Sequence, residues 1–236
     1  MNLLLLFPED LVAHDRALLS GRRLRHVLSV HRAAVGDTLR VGLLDGLMGE
    51  GRITRLDADA LGLELSLDQP PPPRLPVTLL LALPRPKMLR RIFQHAAVTG
   101  VSRLVLINSY RVEKSFWESP FLQPDAIRQE LVLGAEQGRD TVLPEVVLEP
   151  RFKPFVEDRL PAMAAGARRL LAHPAGSGAC PVALNAPVSL AVGPEGGFIP
   201  YEVAALQAQG FEAVHLGPRI LRVETAVTAL LARLYV

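Results

Sequence analysis

A run of four prolines at residues 70–73 constrains the fold of this chain more than any other stretch of its sequence. Consecutive prolines fix the φ angle and lack a backbone N–H donor, so they favour an extended, semi-rigid spacer over a helix or a central strand. We therefore predict a domain boundary here. A Pro-rich linker at residues 71–75 would join one domain at residues 1–70 to a second at residues 76–236.

The residues before the prolines are predicted to be mostly β-structure. A short basic helix at residues 21–28 precedes three strand-like segments at residues 38–44, 47–56 and 60–67. An Asp-Gly pair at residues 45–46 separates the first two segments, and such a pair between apolar runs is a strong hairpin signal. This pattern predicts a small β-barrel.

The sequence after the linker changes its period. Short apolar runs alternate there with helix-like segments, which predicts a parallel α/β sheet whose strands are buried on both faces. The predicted strands are residues 76–83, 101–108, 145–148, 169–172 and 188–192, and the predicted helices are residues 87–99, 125–137, 152–165 with a break near Pro161, and 200–209. A final helix at residues 224–234 is apolar almost all round, so we expect it to be buried on several sides, either in the core or at a subunit interface.

Composition excludes several classes of protein. Apolar residues make up 49% of the 236 residues and the mean hydropathy is +0.24, which excludes a disordered chain. No run of about 18 apolar residues predicts a membrane span. The single cysteine, Cys180, allows no internal disulfide and fits a reducing cytoplasm. The histidines lack the spacings of a metal site, so we expect no bound metal. A net charge of +2 does not by itself establish nucleic-acid binding.

Two Gly/Pro-rich loops follow strand-like segments in the last quarter of the chain. Residues 188–192 lead into Gly-Pro-Glu-Gly-Gly at residues 193–197, and residues 213–216 lead into Gly-Pro-Arg-Ile-Leu-Arg-Val-Glu-Thr at residues 217–225. Loops at the ends of neighbouring parallel strands form the cleft in which open α/β sheets bind ligands. The first loop lacks the Gly-Lys-Ser/Thr of a phosphate loop and the G-x-G-x-x-G of a dinucleotide site, and taken alone it could be a plain turn.

The two loops together resemble a known signature. Gly-Pro-Glu-Gly-Gly-Phe at residues 193–198, paired with Leu-Gly-Pro-Arg-Ile-Leu-Arg-Val-Glu-Thr at residues 216–225, is similar to the C-terminal motifs of the SPOUT RNA methyltransferases, in particular the RsmE family. That resemblance implies an α/β protein with an N-terminal PUA-like β-barrel and a C-terminal SPOUT domain that carries a trefoil knot. It also implies a cytoplasmic homodimer that uses S-adenosylmethionine to methylate N3 of a uridine in 16S ribosomal RNA of the small subunit. The alternatives are a SPOUT methyltransferase for another RNA, such as tRNA or 23S ribosomal RNA, and a catalytically inactive RNA-binding paralogue.

The resemblance places the cofactor among three loops. Backbone N–H and C=O groups would bracket the adenine edge and the amino-acid part, while Leu216, Ile220 and Leu221 would contact the ring. His173 is expected to be a loop residue rather than a catalyst, because nothing nearby orients it. The cofactor-binding residues implied are Leu171, His173, Pro174, Val192, Gly193, Pro194, Glu195, Gly196, Gly197, Leu216, Gly217, Ile220, Leu221, Glu224 and Thr225.

Two arginines in the second loop are the candidate catalytic residues, Arg222 first and Arg219 second. A guanidinium would stabilise the negative charge that develops on the uracil oxygens during methylation of N3. The alternative is a salt bridge from either arginine to Glu195 or Glu224 that braces the loops. Glu224 is expected to stabilise the start of the last helix, with proton acceptance as the other role open to it.

Basic residues supply the candidate RNA contacts. Arginines cluster in sequence within residues 22–32, which would suit phosphate contacts, and a solvated helix face is an equal alternative. The predicted RNA-binding residues are Arg22, Arg23, Arg25, Arg32, Lys87 and Arg111. The chain departs from the family pattern at His95 and Val98, where a lysine and a glutamate are usual, and residues 136–139 lack one residue of the family's Glu-Gln-Ser-Gly-Arg stretch.

Overall fold

Residues 2–235 are described by the computed structural model, apart from the side chain of His31, and they form two units. The first unit contains the residues up to Pro73 together with Val132–Leu143. The second contains Arg74–Leu131 and the residues from Pro144 onward. Each unit has its own sheet.

The segment Val132–Leu143 packs with the first unit, whereas the sequence places it in the second domain. The Thr141 hydroxyl donates to the carbonyl of Gly46 at 2.7 Å, and the N–H of Asp45 donates to the carbonyl of Thr141 at 2.9 Å. These bonds join residues that lie far apart in the chain. Local hydrophobic periodicity, from which the sequence prediction was made, carries no information about such pairings.

Six strands form the sheet of the first unit in the order β1-β4-β5-β6-β3-β2. β1 pairs with β4 in parallel, and the other neighbours are antiparallel. The strands are β1 (Leu4–Leu6), β2 (Leu11–Ala13), β3 (Arg16–Leu19), β4 (Thr38–Leu43), β5 (Met48–Leu56) and β6 (Leu61–Gln69). The remaining elements are a 3-10 turn (Pro8–Asp10), α1 (Gly21–His26) and a π-helical turn (Val27–His31). The three predicted strands are confirmed, and Asp45 has a positive φ of 56° in the turn between β4 and β5.

The core of the first unit is built from alternate residues of these strands. In β5, Gly49, Gly51 and Ile53 are buried while the residues between them are exposed. A Cβ at Gly49 would lie 2.0 Å from the carbonyl oxygen of Ser66, so β5 and β6 approach too closely there for a side chain. The buried apolar residues of this core include Leu4, Leu6, Leu19, Leu24, Val41, Ile53, Leu61 and Leu63.

Two of the predicted RNA-binding arginines are held by carboxylates inside the first unit. Arg23 donates to both carboxylate oxygens of Asp10, at 2.5 and 2.7 Å, and its guanidinium lies 4.8 Å from the centre of the Phe7 ring. Arg22 donates to both oxygens of Glu136, at 2.8 and 2.9 Å. Asp10 and Glu136 are buried, so both arginines neutralise interior charge. Arg25 and Arg32 are exposed.

Seven parallel strands form the sheet of the second unit in the order β11-β13-β10-β12-β7-β8-β9. The strands are β7 (Leu75–Ala82), β8 (Val101–Ile107), β9 (Glu145–Glu149), β10 (Arg168–Ala172), β11 (Gly178–Ala179), β12 (Val188–Val192) and β13 (Glu212–His215). This sheet confirms the predicted parallel α/β architecture.

Helices alternate with these strands along the chain. They are α2 (Pro86–Val98), α3 (Pro124–Gly138), α4 (Phe152–Pro154), α5 (Leu160–Met163), α6 (Pro200–Ala208) and α7 (Val223–Tyr235), with 3-10 turns at Lys114–Glu118 and Pro120–Leu122 and a π-helical turn at Phe155–Arg159. α3 contributes residues to both units. Among the helices that the structure describes, none combines the length and apolar character needed to cross a bilayer.

The last helix differs from its prediction in one respect. Val227, Leu230, Leu231 and Leu234 are buried on one side of α7, but the other side is exposed within this single chain. The spacing of these four residues is that of a single apolar stripe on a helix. The sequence prediction of burial on several sides therefore describes only part of the helix.

We predict that Arg23→Ala destabilises the first unit. Removing the guanidinium leaves the carboxylate of Asp10 buried without its partner, which should lower the free energy of unfolding by about 3 kcal/mol. Urea unfolding followed by circular dichroism measures this change. Arg25→Ala, at an exposed neighbour on α1, is the matched control and should change stability by less than about 0.5 kcal/mol. Equal stability of the two variants would contradict the ion-pair assignment.

Candidate functional site

The carboxyl ends of three neighbouring strands lie side by side in the second unit. Ala172 at the end of β10 pairs with Val192 at the end of β12 and with Val214 in β13. The loops that follow these strands border a cavity of about 1170 Å³. The start of α2 and residues of the loop after β8 also line this cavity.

The Gly-rich loop after β12 is closed by its own backbone. The N–H of Gly197 donates to the carbonyl of Pro194 at 2.7 Å, and Gly197 has a φ of +73°, which glycine adopts without steric cost. The guanidinium of Arg111 donates to the carbonyl of Gly196. Glu195 forms an exposed ion pair with Arg85 at 3.1 Å. The loop is therefore fastened to two other segments of the cavity wall.

A buried carboxylate joins this loop to the loop after β8. Glu202 is 3% exposed and accepts hydrogen bonds from the N–H of Ile199 at 3.0 Å, the N–H of Tyr110 at 2.7 Å and the hydroxyl of Ser109 at 3.1 Å. Hydrogen bonds to an ionised acceptor are stronger than those between neutral groups. The Glu202 side chain therefore links the loop after β12 to the loop after β8.

The loop after β13 presents charged and apolar side chains to the cavity. The N–H of Gly217 donates to Nδ1 of His215 at 3.0 Å, and the chain then runs through exposed residues. Ile220 is 82% exposed although it is apolar. Among the described residues, neither Arg219 nor Arg222 has a carboxylate within ion-pair distance. The bracing salt bridges considered from the sequence are therefore absent from the described part of the chain.

The loop after β10 is ordered by His173. Its Nδ1 accepts from the backbone N–H of Ala175 at 3.2 Å, and the backbone N–H of His173 donates to the carbonyl of Val214 at 2.9 Å. Gly176 lies so close to β13 that a Cβ there would be 2.8 Å from the backbone of Val214. The His173 ring thus stabilises its own turn.

The residues around the cavity do not include a thiolate. Cys180 is buried, and that burial raises the pKa of its thiol, which keeps the group neutral and unreactive. Within the described part of the chain there is also no group of three His, Cys, Asp or Glu side chains that could hold a metal ion.

Comparison with known proteins identifies the family. A family model described as an RNA methyltransferase domain matches residues 71–235. The ribosomal RNA small subunit methyltransferase E of Synechocystis is 30% identical to this chain, over 98% of the chain and 76% of that protein. The protein of the same name from Treponema pallidum is 28% identical, over 97% of the chain and 88% of that protein.

The chain belongs to the ribosomal RNA small subunit methyltransferase E family. The resemblance seen in its two loops is confirmed. A crystal structure of the Neisseria gonorrhoeae member bound to S-adenosyl methionine has the same fold, with a TM-score of 0.76 at 24% identity over 98% of this chain and 95% of that one.

Most of the residues proposed from the family motifs meet at this cavity. It is lined by His173, Pro174, Val192, Gly193, Pro194, Glu195, Gly197, Leu216, Gly217, Arg219, Ile220, Leu221, Arg222, Glu224 and Lys87. Leu171 does not line it, because its side chain is fully buried in β10. Gly196 is turned toward Arg111, and Thr225 is exposed on α7. Arg111 bonds to Gly196 rather than lining the cavity.

Sequence reasoning missed several residues of this cavity. Arg85, Met88, Glu113 and Phe116 line the cavity, and Glu202 supports it from behind. Pro200 followed two residues later by a glutamate is a sequence signal for a helix start at which Glu202 accepts an N-terminal N–H. No sequence signal indicated its bond to Tyr110, which depends on the tertiary fold.

The residues present suit a ligand with a flat ring and a polar tail. Leu216, Leu221 and Met88 supply apolar contact, while the loop backbones offer polar groups. At Gly193 a Cβ would lie 3.1 Å from the N atom of Phe198, so the glycine is needed for the tight turn at the cavity edge. This chemistry fits the cofactor that the sequence resemblance implies.

We predict that Glu202→Ala loosens both loops. The N–H groups of Tyr110 and Ile199 would lose their acceptor, which should lower the free energy of unfolding by about 2–4 kcal/mol. Chemical denaturation and amide hydrogen exchange at these two residues measure the effect. Glu212→Ala, which removes only a surface ion pair with Arg168, is the control and should cost less than about 1 kcal/mol. Unchanged exchange at Tyr110 would contradict the assignment.

Proposed function

We propose that the chain transfers the methyl group of S-adenosylmethionine to N3 of a uridine in 16S ribosomal RNA of the small subunit. One observation carries this proposal: Arg219 and Arg222 line the cavity beside apolar Leu216 and Leu221, in a member of this methyltransferase family. The cavity lies at the carboxyl edge of a parallel sheet, where such folds bind ligands.

The three strand-end loops are assigned to hold the cofactor. S-adenosylmethionine supplies an electrophilic methyl carbon on a sulfonium. The backbones of residues 193–197 and 216–221 would bracket its polar groups, and Leu216 and Leu221 would pack on its ring. Binding would also cover Ile220, whose 82% exposure leaves apolar area in water. The main task of these loops is alignment, because positioning alone can supply much of a displacement rate.

Arg222 and Arg219 are assigned to the uracil. As N3 loses its proton, negative charge spreads to the two carbonyl oxygens of the ring. A fixed guanidinium facing those oxygens stabilises the charge as it develops. Both arginines line the cavity without an ion-pair partner among the described residues, so neither charge is already neutralised by a carboxylate.

The domains expected from the sequence are assigned different tasks. Residues 1–70 are assigned as a PUA-like β-barrel that binds RNA, residues 71–75 as the linker, and residues 76–236 as a SPOUT domain with a trefoil knot. The match of the domain model from residue 71 supports this division. Exposed Arg25, Arg32 and Lys87 remain the candidate RNA contacts.

The protein is further proposed to act as a cytoplasmic homodimer. The exposed side of α7, opposite its buried stripe, is available to a second copy. The family departures at His95 and Val98 lie on exposed positions of α2 and do not line the cavity. They leave the proposed chemistry intact, which favours a methyltransferase over an inactive paralogue.

We predict that Arg222→Ala separates catalysis from cofactor binding. Loss of the guanidinium should reduce methyl transfer by about 100- to 1000-fold, since the charge on uracil would lose its stabilising donor. The Kd for S-adenosylmethionine, measured by calorimetry, should stay within about threefold because Arg222 faces the base.

Arg168→Ala is the control for this test. Arg168 lies at the amino end of β10, whereas the cavity lies at the carboxyl ends of the strands. It should keep full activity. A fall in activity that merely follows a fall in cofactor affinity would contradict the role given to Arg222.

A further inference from the structure

One wall of the cavity is not supplied by the three cofactor loops. It consists of Arg85 and Met88 at the start of α2 and of Glu113 and Phe116 after β8. The cavity volume of about 1170 Å³ exceeds the roughly 300–1,000 Å³ that usually encloses one small ligand. The cavity therefore has room for a second group beside the cofactor.

The segment that carries Glu113 and Phe116 is fixed at both ends. At one end, the N–H of Tyr110 is held by Glu202 at 2.7 Å. At the other, the indole N–H of Trp117 donates to Oδ1 of Asn108 at 3.0 Å. Between them, the N–H of Phe116 donates to the carbonyl of Glu113 at 3.0 Å and starts a 3-10 turn. Both side chains are thus presented by a rigid turn.

Phe116 offers an aromatic face to the cavity, whereas the other phenylalanine that lines it, Phe198, is only 6% exposed. It is half-buried, so part of its ring faces the cavity. Splayed-out RNA bases are bound by stacking on such rings, and a ring already held in place loses little freedom on binding. The neighbouring cation Lys87 suits the phosphates that flank a base.

Glu113 is the carboxylate best placed to act on that base. Glu195 is paired with Arg85 at 3.1 Å, and Glu224 lies in the first turn of α7, beside the cofactor loops. No ion pair of Glu113 is found among the described residues. Glu113 and Phe116 lie three residues apart at the same 3-10 turn and both line the cavity, so a base stacked on the ring would share the cavity with this acceptor.

We propose that Glu113 and Phe116 form the subsite for the target uracil, with Phe116 stacking on the ring and Glu113 accepting the N3 proton. In the step, N3 bonds to the methyl carbon while the carbon–sulfur bond breaks. The N3 proton passes to the Glu113 carboxylate, and the sulfur is left as a neutral thioether. This inference rests on the proposed function, because it names the base-binding half of the same site.

The experiment compares Phe116→Ala, Phe116→Trp and Glu113→Gln with the unaltered protein. Methyl transfer to small ribosomal subunits that lack the modification is measured across a range of pH, and cofactor binding is measured by calorimetry. The matched control is Glu118→Gln, because Glu118 is exposed in the same 3-10 turn and does not line the cavity.

Phe116→Ala should reduce kcat/KM about 10- to 100-fold, Phe116→Trp should restore most of it, and both should bind S-adenosylmethionine normally. Glu113→Gln should reduce kcat about 100-fold near neutral pH. Its rate should recover as the pH rises toward the range in which uridine N3 ionises unaided. A merely structural defect would lower the rate equally at every pH.

Several results would overturn the inference. Normal activity of Glu113→Gln, a pH-independent loss, or loss of cofactor binding in Phe116→Ala would each reject the subsite. If the unaltered protein binds the cofactor but labels no 16S RNA, the proposed function fails and the subsite fails with it. Failure of the variants alone leaves the methyltransferase function standing, so the two failures are distinguishable.

Discussion

The parallel pairing of β10 with β12 and β13 is the constraint on which the site depends. Because parallel strands run in one direction, their carboxyl ends meet at one edge, and the loops that leave Ala172, Val192 and His215 must converge there. A shift of one residue in this register would move every side chain of a strand to the other face. β12, which is buried at all five positions, is the strand whose packing sets that register.

Buried carboxylates then hold the surrounding segments in place. Glu202 accepts three hydrogen bonds from two loops. Burying its carboxylate would lower the stability of the fold if any of these bonds were missing. In the first unit, Asp10 and Glu136 play a similar part for Arg23 and Arg22. In each unit, charges inside the protein fix segments that are distant in sequence.

Much of the fold follows from local sequence, and the reasons for the failures are physical. The continuous apolar run of β12 and the glycines at residues 193–197 indicate a buried strand and a ligand loop without reference to the rest of the chain. The ion pairs of Arg22 and Arg23 could not be predicted, because a basic cluster looks the same in sequence whether its charges face water or carboxylates elsewhere in the chain. Glu113 and Phe116 were missed for the same reason, since only the tertiary fold brings them to the cavity.

The most direct test of the central claim is methyl transfer from labelled S-adenosylmethionine to small ribosomal subunits and free 16S RNA from cells that lack this gene, with the modified nucleoside identified by mass spectrometry. We expect N3-methyluridine in 16S RNA. Label on a ribose 2′-hydroxyl, label in another RNA alone, or cofactor binding without any transfer would contradict it.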